Sequence, residues 1–277
     1  MDPACRPRRM GKTGTPSTMI ISVITINYNT GLAVERTIAS VLGQTAAFEW
    51  VIIDGGSSDG SRAALRAALR PGDHYVSEPD RGIGDAFNKG LALAGGDWVL
   101  FMNAGDAFAD PGALATLADV WDGKARWIAG RAQVVHEDGR PVFVRRDSPV
   151  VDPRSLVQHG NRLFHQAVLA QRSLLTELGG FATALRVSMD YDLWVRWIAA
   201  GHAPQLITSE ICQFRLGGTS ADTVLRYREE LGVRRLAGLV NPHLVEVRLA
   251  LVARLKSWTP SWVRWPFMYR LKERLRW

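Results

Sequence analysis

Asn103 and Asp106 stand where an apolar run, Trp98 to Met102, gives out. The run has the composition of a buried strand, so Asn103-Ala104-Gly105-Asp106 places an amide and a carboxylate where the chain leaves the core. Asn, Asp and Gly favour turns, and the stretch is consistent with a plain loop. A carboxylate there is equally a candidate cation ligand, because Mg2+ and Mn2+ are commonly held by one or two carboxylates while substrate phosphates complete the shell. Three other apolar runs also end in polar residues: Asn27 and Asn29, then Asp54, then Glu78 to Arg81. Arg81 and Lys89 add positive charge near these groups.

The elements that would carry these residues follow from periodicity. Runs rich in β-branched and aromatic residues predict strands over 20–29, 48–56, 74–80 and 97–103. Between them, apolar residues at helical spacing predict helices over 31–44, 57–69 and 83–94. Asn29 or Thr30 is placed to cap the first helix, and Ser57, Ser58 and Asp59 are offered to the second. The first half thus reads β-α-β-α-β-α-β, an α/β fold with a mainly parallel sheet and right-handed crossovers. In such sheets ligands sit outside the carboxyl ends of the strands, which is where the four polar endings fall. The second half is less regular. It predicts two strands within 126–147 around Asp138-Gly139, a short helix over 172–181, a helix over 188–201 with Asp190 at its start, and a strand over 202–218. No internal repeat or low-complexity segment interrupts it.

Several chemistries are excluded by what is missing. No G-x-G-x-x-G follows the first strand and no G-x-x-x-x-G-K-[ST] occurs, which argues against a dinucleotide-dependent dehydrogenase and a P-loop NTPase. No G-x-S-x-G elbow is present for a hydrolase serine. The two cysteines, Cys5 and Cys212, form neither a disulfide framework nor a thiolate metal cluster, and they fit a reducing compartment. No uninterrupted apolar stretch approaches the roughly 20 residues that span a bilayer. Residues 1–18 are basic and read as a flexible leader, with Met19 as an alternative start. What remains is a cleft of carboxylates and amides, suited to a nucleotide whose phosphates are neutralised mainly by a divalent cation.

Four segments in order, SVITINYN, WVIIDGGSSDGS, SEPDRGIGDAFNKGLALAGGDWVLFMNAGD and SMDYDLWVRW, resemble a family 2 glycosyltransferase of the inverting GT-A fold, over roughly residues 19–220. Bacterial enzymes of surface polysaccharide and glycolipid synthesis are the nearest in pattern. The resemblance implies a hexosyl transfer from a nucleoside-diphosphate sugar, a UDP-sugar foremost. It implies that Asp54 accepts from the base, that Thr25, Asn27 and Asn29 line the nucleotide pocket, and that Arg81, Asp85 and Asn88 close its far side. The family's metal signature usually reads D-x-D-D. Here only Asp106 keeps a carboxylate; Asn103 can reach a ribose or a metal-bound water, and Gly105 has no side chain. Mg2+ or Mn2+ at Asp106 is the resulting expectation. Asp190 matches the catalytic aspartate that would deprotonate the acceptor hydroxyl, although a helix start also suits a plain cap. Met189 stands where a glutamate is common. His165 and Gln166 in FHQAV would face the acceptor, and Arg215 or Ser220 in FRLGGTSAD would meet the diphosphate.

The formal charge is +7, and residues 241–277 hold eight Lys and Arg against two Glu, net +6. Leu244, Val247, Leu251 and Leu255 lie at helical spacing, and Trp258, Trp262, Trp265, Phe267, Tyr269 and Trp277 crowd the end. Trp mixed with Arg and Lys is the composition of a segment lying in the lipid headgroup layer. Nucleic acid is disfavoured as a partner because no recognised nucleic-acid module accompanies the charge. The expected organisation is a leader (1–18), a catalytic domain (19–220, divided at 108 into nucleotide and acceptor halves) and a basic amphipathic helical tail (221–277). The expected place is the cytoplasmic face of the cell membrane, peripherally held on anionic lipid, with a lipid-linked saccharide or glycolipid as acceptor. The alternative is a membrane-associated nucleotide-sugar binder without turnover.

Overall fold

The computed structural model describes residues 19–136, 139–144, 154–158, 160–217 and 222–239. The leader, Asp138, Ser220 and the tail from 240 onward, with its amphipathic and tryptophan-rich segments, lie outside the described residues.

Strands β1 (Ile21–Asn27), β2 (Glu49–Asp54), β3 (His74–Ser77) and β4 (Trp98–Phe101) pair in parallel in the spatial order β3-β2-β1-β4. Helices α1 (Ala33–Leu42), α2 (Ser61–Ala67) and α3 (Ile83–Leu93) are the crossovers. Alternate residues of each strand enter different cores. Val23, Trp50, Ile52 and Leu100 meet Val34 and Val41 of α1 and Leu65 of α2. Ile24, Val51, Ile53 and Val99 meet Ala86, Phe87 and Leu91 of α3. Burial on both faces explains why these strands read as continuous apolar runs. α3 sits close on the sheet through Gly90, where a Cβ would collide with Ile24.

Beyond β4 the sheet turns mixed. β8 (Val168–Gln171) runs antiparallel to β4, and β6 (Trp127–Val135) antiparallel to β8 and parallel to β9 (Gln205–Arg215). The short β5 (Ala107–Phe108) and β7 (Pro141–Val144) pair antiparallel with β9 and β6. Two reversals make β9 parallel to β4, so Arg215 at the end of β9 shares a sheet edge with Asn103 and Asp106. Helices α4 (Ala113–Asp119), α5 (Ser155–Gln158), α6 (Arg172–Glu177), α7 (Met189–Ala199) and α8 (Thr223–Leu236) complete the described residues. Of these elements, β5, β8, α4 and α5 are not anticipated by the periodicity.

Two expectations about helix starts change. α1 begins at Ala33 without a side-chain cap, because Asn29 is drawn to the backbone N–H of Ser58 and Thr30 to the Asn27 side chain. At α2 the cap position is Gly60, without a side-chain cap, and Asp59 just before it accepts from Ser61 N–H at 3.1 Å. From 222 to 239 the chain packs on the folded body: Leu231 and Val233 of α8 are buried, and Glu229 accepts from the backbone N–H groups of Arg186, Val187 and Ser188 at 2.8, 2.9 and 2.8 Å, just before α7.

Candidate active site

The carboxyl ends of β1, β2 and β3 converge on Asp54, which is fully buried. Its oxygens accept from Asn27 Nδ2 at 2.8 Å, Ser57 N–H at 3.0 Å and Ser77 Oγ at 2.6 Å. Burial pushes the carboxyl upward, yet these hydrogen bonds outweigh it and hold Asp54 below the usual carboxylate range. Asn27 also donates to Ser57 and Ser61, so the strand ends are locked to the loop after β2. Asn29, at φ 48°, ties the same loop from the other side through Ser57 and Ser58. Thr25 does not line this site. It is fully buried one pleat below Asn27, and its hydroxyl accepts the Trp50 indole N–H at 2.8 Å.

Arg81, Asp85 and Lys89 form a charged rim at the start of α3. Asp85 accepts from Arg81 Nη2 at 2.8 Å and lies 3.8 Å from Lys89 Nζ, which pairs with Glu78 at 2.7 Å. The Arg81 contacts, a side-chain hydrogen bond above all, keep the Asp85 carboxyl low. Asn88 departs from its expected role. Its amide clamps the Phe181 backbone, donating to the carbonyl and accepting from the N–H, both at 2.9 Å, and so fixes the turn after α6.

The β4 end is the densest part. Thr37 Oγ1 of α1 accepts from Gly105 N–H at 2.8 Å and donates to the Asp106 carbonyl at 2.6 Å, which fixes the Asn103–Asp106 turn. Asp106 is buried; its carboxylate accepts from Gln166 Nε2 at 2.6 Å and from Arg215 N–H at 2.9 Å. Burial nevertheless keeps its carboxyl above the usual range. Asn103 Oδ1 and Gln166 Oε1 are buried without a hydrogen-bond partner among the described residues, so each can accept from a ligand hydroxyl.

Asp190 lies at the second position of α7, not at its cap. Its Oδ2 accepts from Asn161 Nδ2 at 3.0 Å and lies 3.4 Å from His165 Nδ1, while Oδ1 faces the Tyr191 N–H. A single 3-10 turn, His165–Ala167, therefore joins the two acidic groups: His165 meets Asp190, and its neighbour Gln166 meets Asp106. Asp192, two residues on, turns away and pairs with Arg196 at 2.8 Å. Ser220 lies outside the described residues. A separate concavity of about 340 Å³, lined by Asp97, Trp98, Gln171 and Arg172, sits at the opposite end of β4 and shares none of these groups.

The expected Mg2+ or Mn2+ would meet a sparse set of donors at Asp106. Each carboxylate oxygen of Asp106 accepts one N–H group and position 105 has no side chain, so Asp106 is the one carboxylate this turn offers to an ion whose shell substrate phosphates would complete. Among the described residues no group of three or more His, Cys, Asp or Glu is arranged to hold a metal.

Five residues that position the site are absent from the sequence reading. Thr37, Ser77 and Asn161 hold Asp106, Asp54 and Asp190, and Glu229 secures the chain before α7. Arg36 of α1 stands near Asp106 and Arg215. Asn161 carried the one usable signal, lying four residues before His165.

A mixed sheet flanked by helices, with acidic groups gathered at its carboxyl edge, is the GT-A arrangement. The profile of Glycosyl transferase family 2 matches residues 22–193, and the chain belongs to that family. An uncharacterized glycosyltransferase of Mycobacterium tuberculosis (strain H37Rv) is 32% identical over 208 residues, covering 73% of this chain and 77% of the relative. A PGL/p-HBAD biosynthesis glycosyltransferase of Mycobacterium bovis is 28% identical, covering 68% and 72%. Among solved structures, the mannosyltransferase PcManGT of Pyrobaculum calidifontis in complex with GDP-Man and Mn2+ superposes with a TM-score of 0.62 at 19% identity, covering 82% of this chain and 66% of that one. S. aureus TarS 1–349 in complex with UDP-GlcNAc gives 0.63 at 19% identity, covering 79% and 65%. The chain spans just under two thirds of these two structures.

Proposed function

We propose that the chain is an inverting glycosyltransferase that moves a sugar from a nucleoside-diphosphate sugar, a UDP-sugar foremost, to a hydroxyl of a saccharide or glycolipid acceptor. The observation that carries this reading is the turn at His165 and Gln166, which ties Asp190 and Asp106 to one place at the carboxyl edge of the sheet. Asp54 and Asn27 would bind the base end of the donor, with Arg81 and Asp85 on the rim. Asp190 would take the acceptor proton as the acceptor oxygen attacks the anomeric carbon. The bond from that carbon to the β-phosphate oxygen breaks, and its electron pair leaves with the nucleoside diphosphate. Asn161 and His165 would keep Asp190 Oδ2 aimed. A positioned base contributes roughly 100- to 10,000-fold in rate.

The PGL/p-HBAD name of one relative and the basic, tryptophan-rich tail support a glycolipid acceptor at an anionic, cytoplasmic membrane surface. Incubation with UDP-, GDP- and dTDP-sugars and a glycolipid acceptor tests the reading. A product of inverted anomeric configuration, read by NMR, is expected. Retention of configuration, or no turnover with any donor, would overturn it.

A further inference from the structure

Tyr191 follows Asp190 in α7 and is fully buried. Its hydroxyl donates to the Val157 carbonyl of α5 and meets the Gly160 N–H. Burial pushes that hydroxyl above the ordinary phenol range, so it stays a donor at any working pH. Arg234, a buried residue of α8, reaches the same segment: its Nη1 donates to the Gln158 carbonyl at 3.3 Å. Two side chains from two helices thus hold the stretch 157–160, directly ahead of Asn161.

The Asn161 amide is itself fixed at both ends. Oδ1 accepts from Leu163 N–H at 3.2 Å, which leaves Nδ2 to donate to Asp190 Oδ2 at 3.0 Å. Residues 160–164 belong to no helix or strand, so side-chain contacts decide where they lie. A carboxylate is aimed only as well as its partner's chain is held, and a productive site tolerates about 0.5 Å of error. Here the circuit closes on itself. Asp190 and Tyr191 are neighbours on α7, and Tyr191 grips the stretch whose next residue, Asn161, reaches back to Asp190. We propose that Tyr191 and Arg234 are positioning residues for the base: they hold 157–160 so that Asn161 keeps Asp190 Oδ2 aimed at the acceptor hydroxyl. The proposal rests on the reading of Asp190 given above. α8 then secures both arms of the base, because Glu229 holds the chain ahead of Asp190 and Arg234 the chain ahead of Asn161. A tyrosine that merely filled the core would need its ring and not its hydroxyl, which separates the two roles by experiment.

Steady-state transfer by the full chain, with donor affinity measured by calorimetry on the same preparations, tests it. Tyr191→Phe keeps the ring and removes the hydroxyl; Arg234→Met keeps the stem and removes the guanidinium. Each should lower kcat about tenfold while donor affinity stays within about threefold. Arg234→Lys should recover part of the loss. In a chain already carrying Asn161→Ala, Tyr191→Phe should lower kcat by less than about threefold, because both changes release the same contact. Native kcat in Tyr191→Phe or Arg234→Met would overturn the proposal and leave the glycosyltransferase reading standing. So would a further loss of about tenfold in the Asn161→Ala background, or donor affinity that falls along with kcat. No transfer by the native chain with any donor would overturn both.

Discussion

Asp54 and Asp106 are both buried carboxylates, yet they stand on opposite sides of their usual range, and the difference lies in their donors. Asp54 gathers Asn27, Ser57 and Ser77, and its lowered value means that its ionised form stabilises the fold. That stability is fully present above the unfolded carboxylate range and is lost as pH falls through the depressed folded value. Asp54→Asn should therefore cost about 2–3 kcal/mol at neutral pH. Chemical denaturation at a series of pH values should show the gap to the native chain shrinking below about pH 4. A gap independent of pH would show that the charge is not what matters. Asp106 has the reverse sign: burial raises it, and the cost of its ionised form is relieved as pH falls. At Asp190, Asn161 supplies the 3.0 Å contact that orients Oδ2. Asn161→Ala should lower transfer about tenfold at saturating substrates, with little change in donor affinity, if it orients the base. An unchanged turnover rate would remove Asn161 from the site.

The start of α7 depends on another helix. Glu229 of α8 gathers three successive N–H groups at Arg186, Val187 and Ser188, directly ahead of Asp190. Glu229→Ala strands those donors, and a loss of about 1–3 kcal/mol in thermal or urea unfolding is expected. A melting temperature equal to that of the native chain would contradict it. This contact joins residues about forty apart, and no local pattern announces it. The crossover units were legible because β1, β2 and β4 are buried on both faces and each helix presents one apolar stripe. β5 was not, since two residues are too short for periodicity to register. The candidates Asp54, Asp106 and Asp190 could be picked out because they follow apolar runs or open a helix. Thr25 and Asn88 misled because a polar residue in a motif looks the same whether it faces ligand, Trp50 or a neighbouring turn. Arg36 went unread because a helix surface is normally charged.

At the scale of the molecule, one sheet edge gathers the candidate groups. β1, β2 and β3 bring Asn27, Asp54 and Ser77 to it, and β4 and β9 bring Asp106 and Arg215. Among the described residues no helix is long and apolar enough to cross a membrane; the proposed membrane contact rests on the composition of the basic segment after 240. Deleting 257–277 should release the protein from vesicles containing anionic lipid, read by sedimentation. Undiminished binding would place the contact elsewhere. The account as a whole turns on Asp190 as the group that receives the acceptor proton. The most direct test is the transfer rate of Asp190→Asn at saturating donor, with donor affinity measured on the same preparation. The expected result is a rate at least about 100-fold below that of the native chain with donor affinity within about threefold. Transfer at the native rate would contradict it.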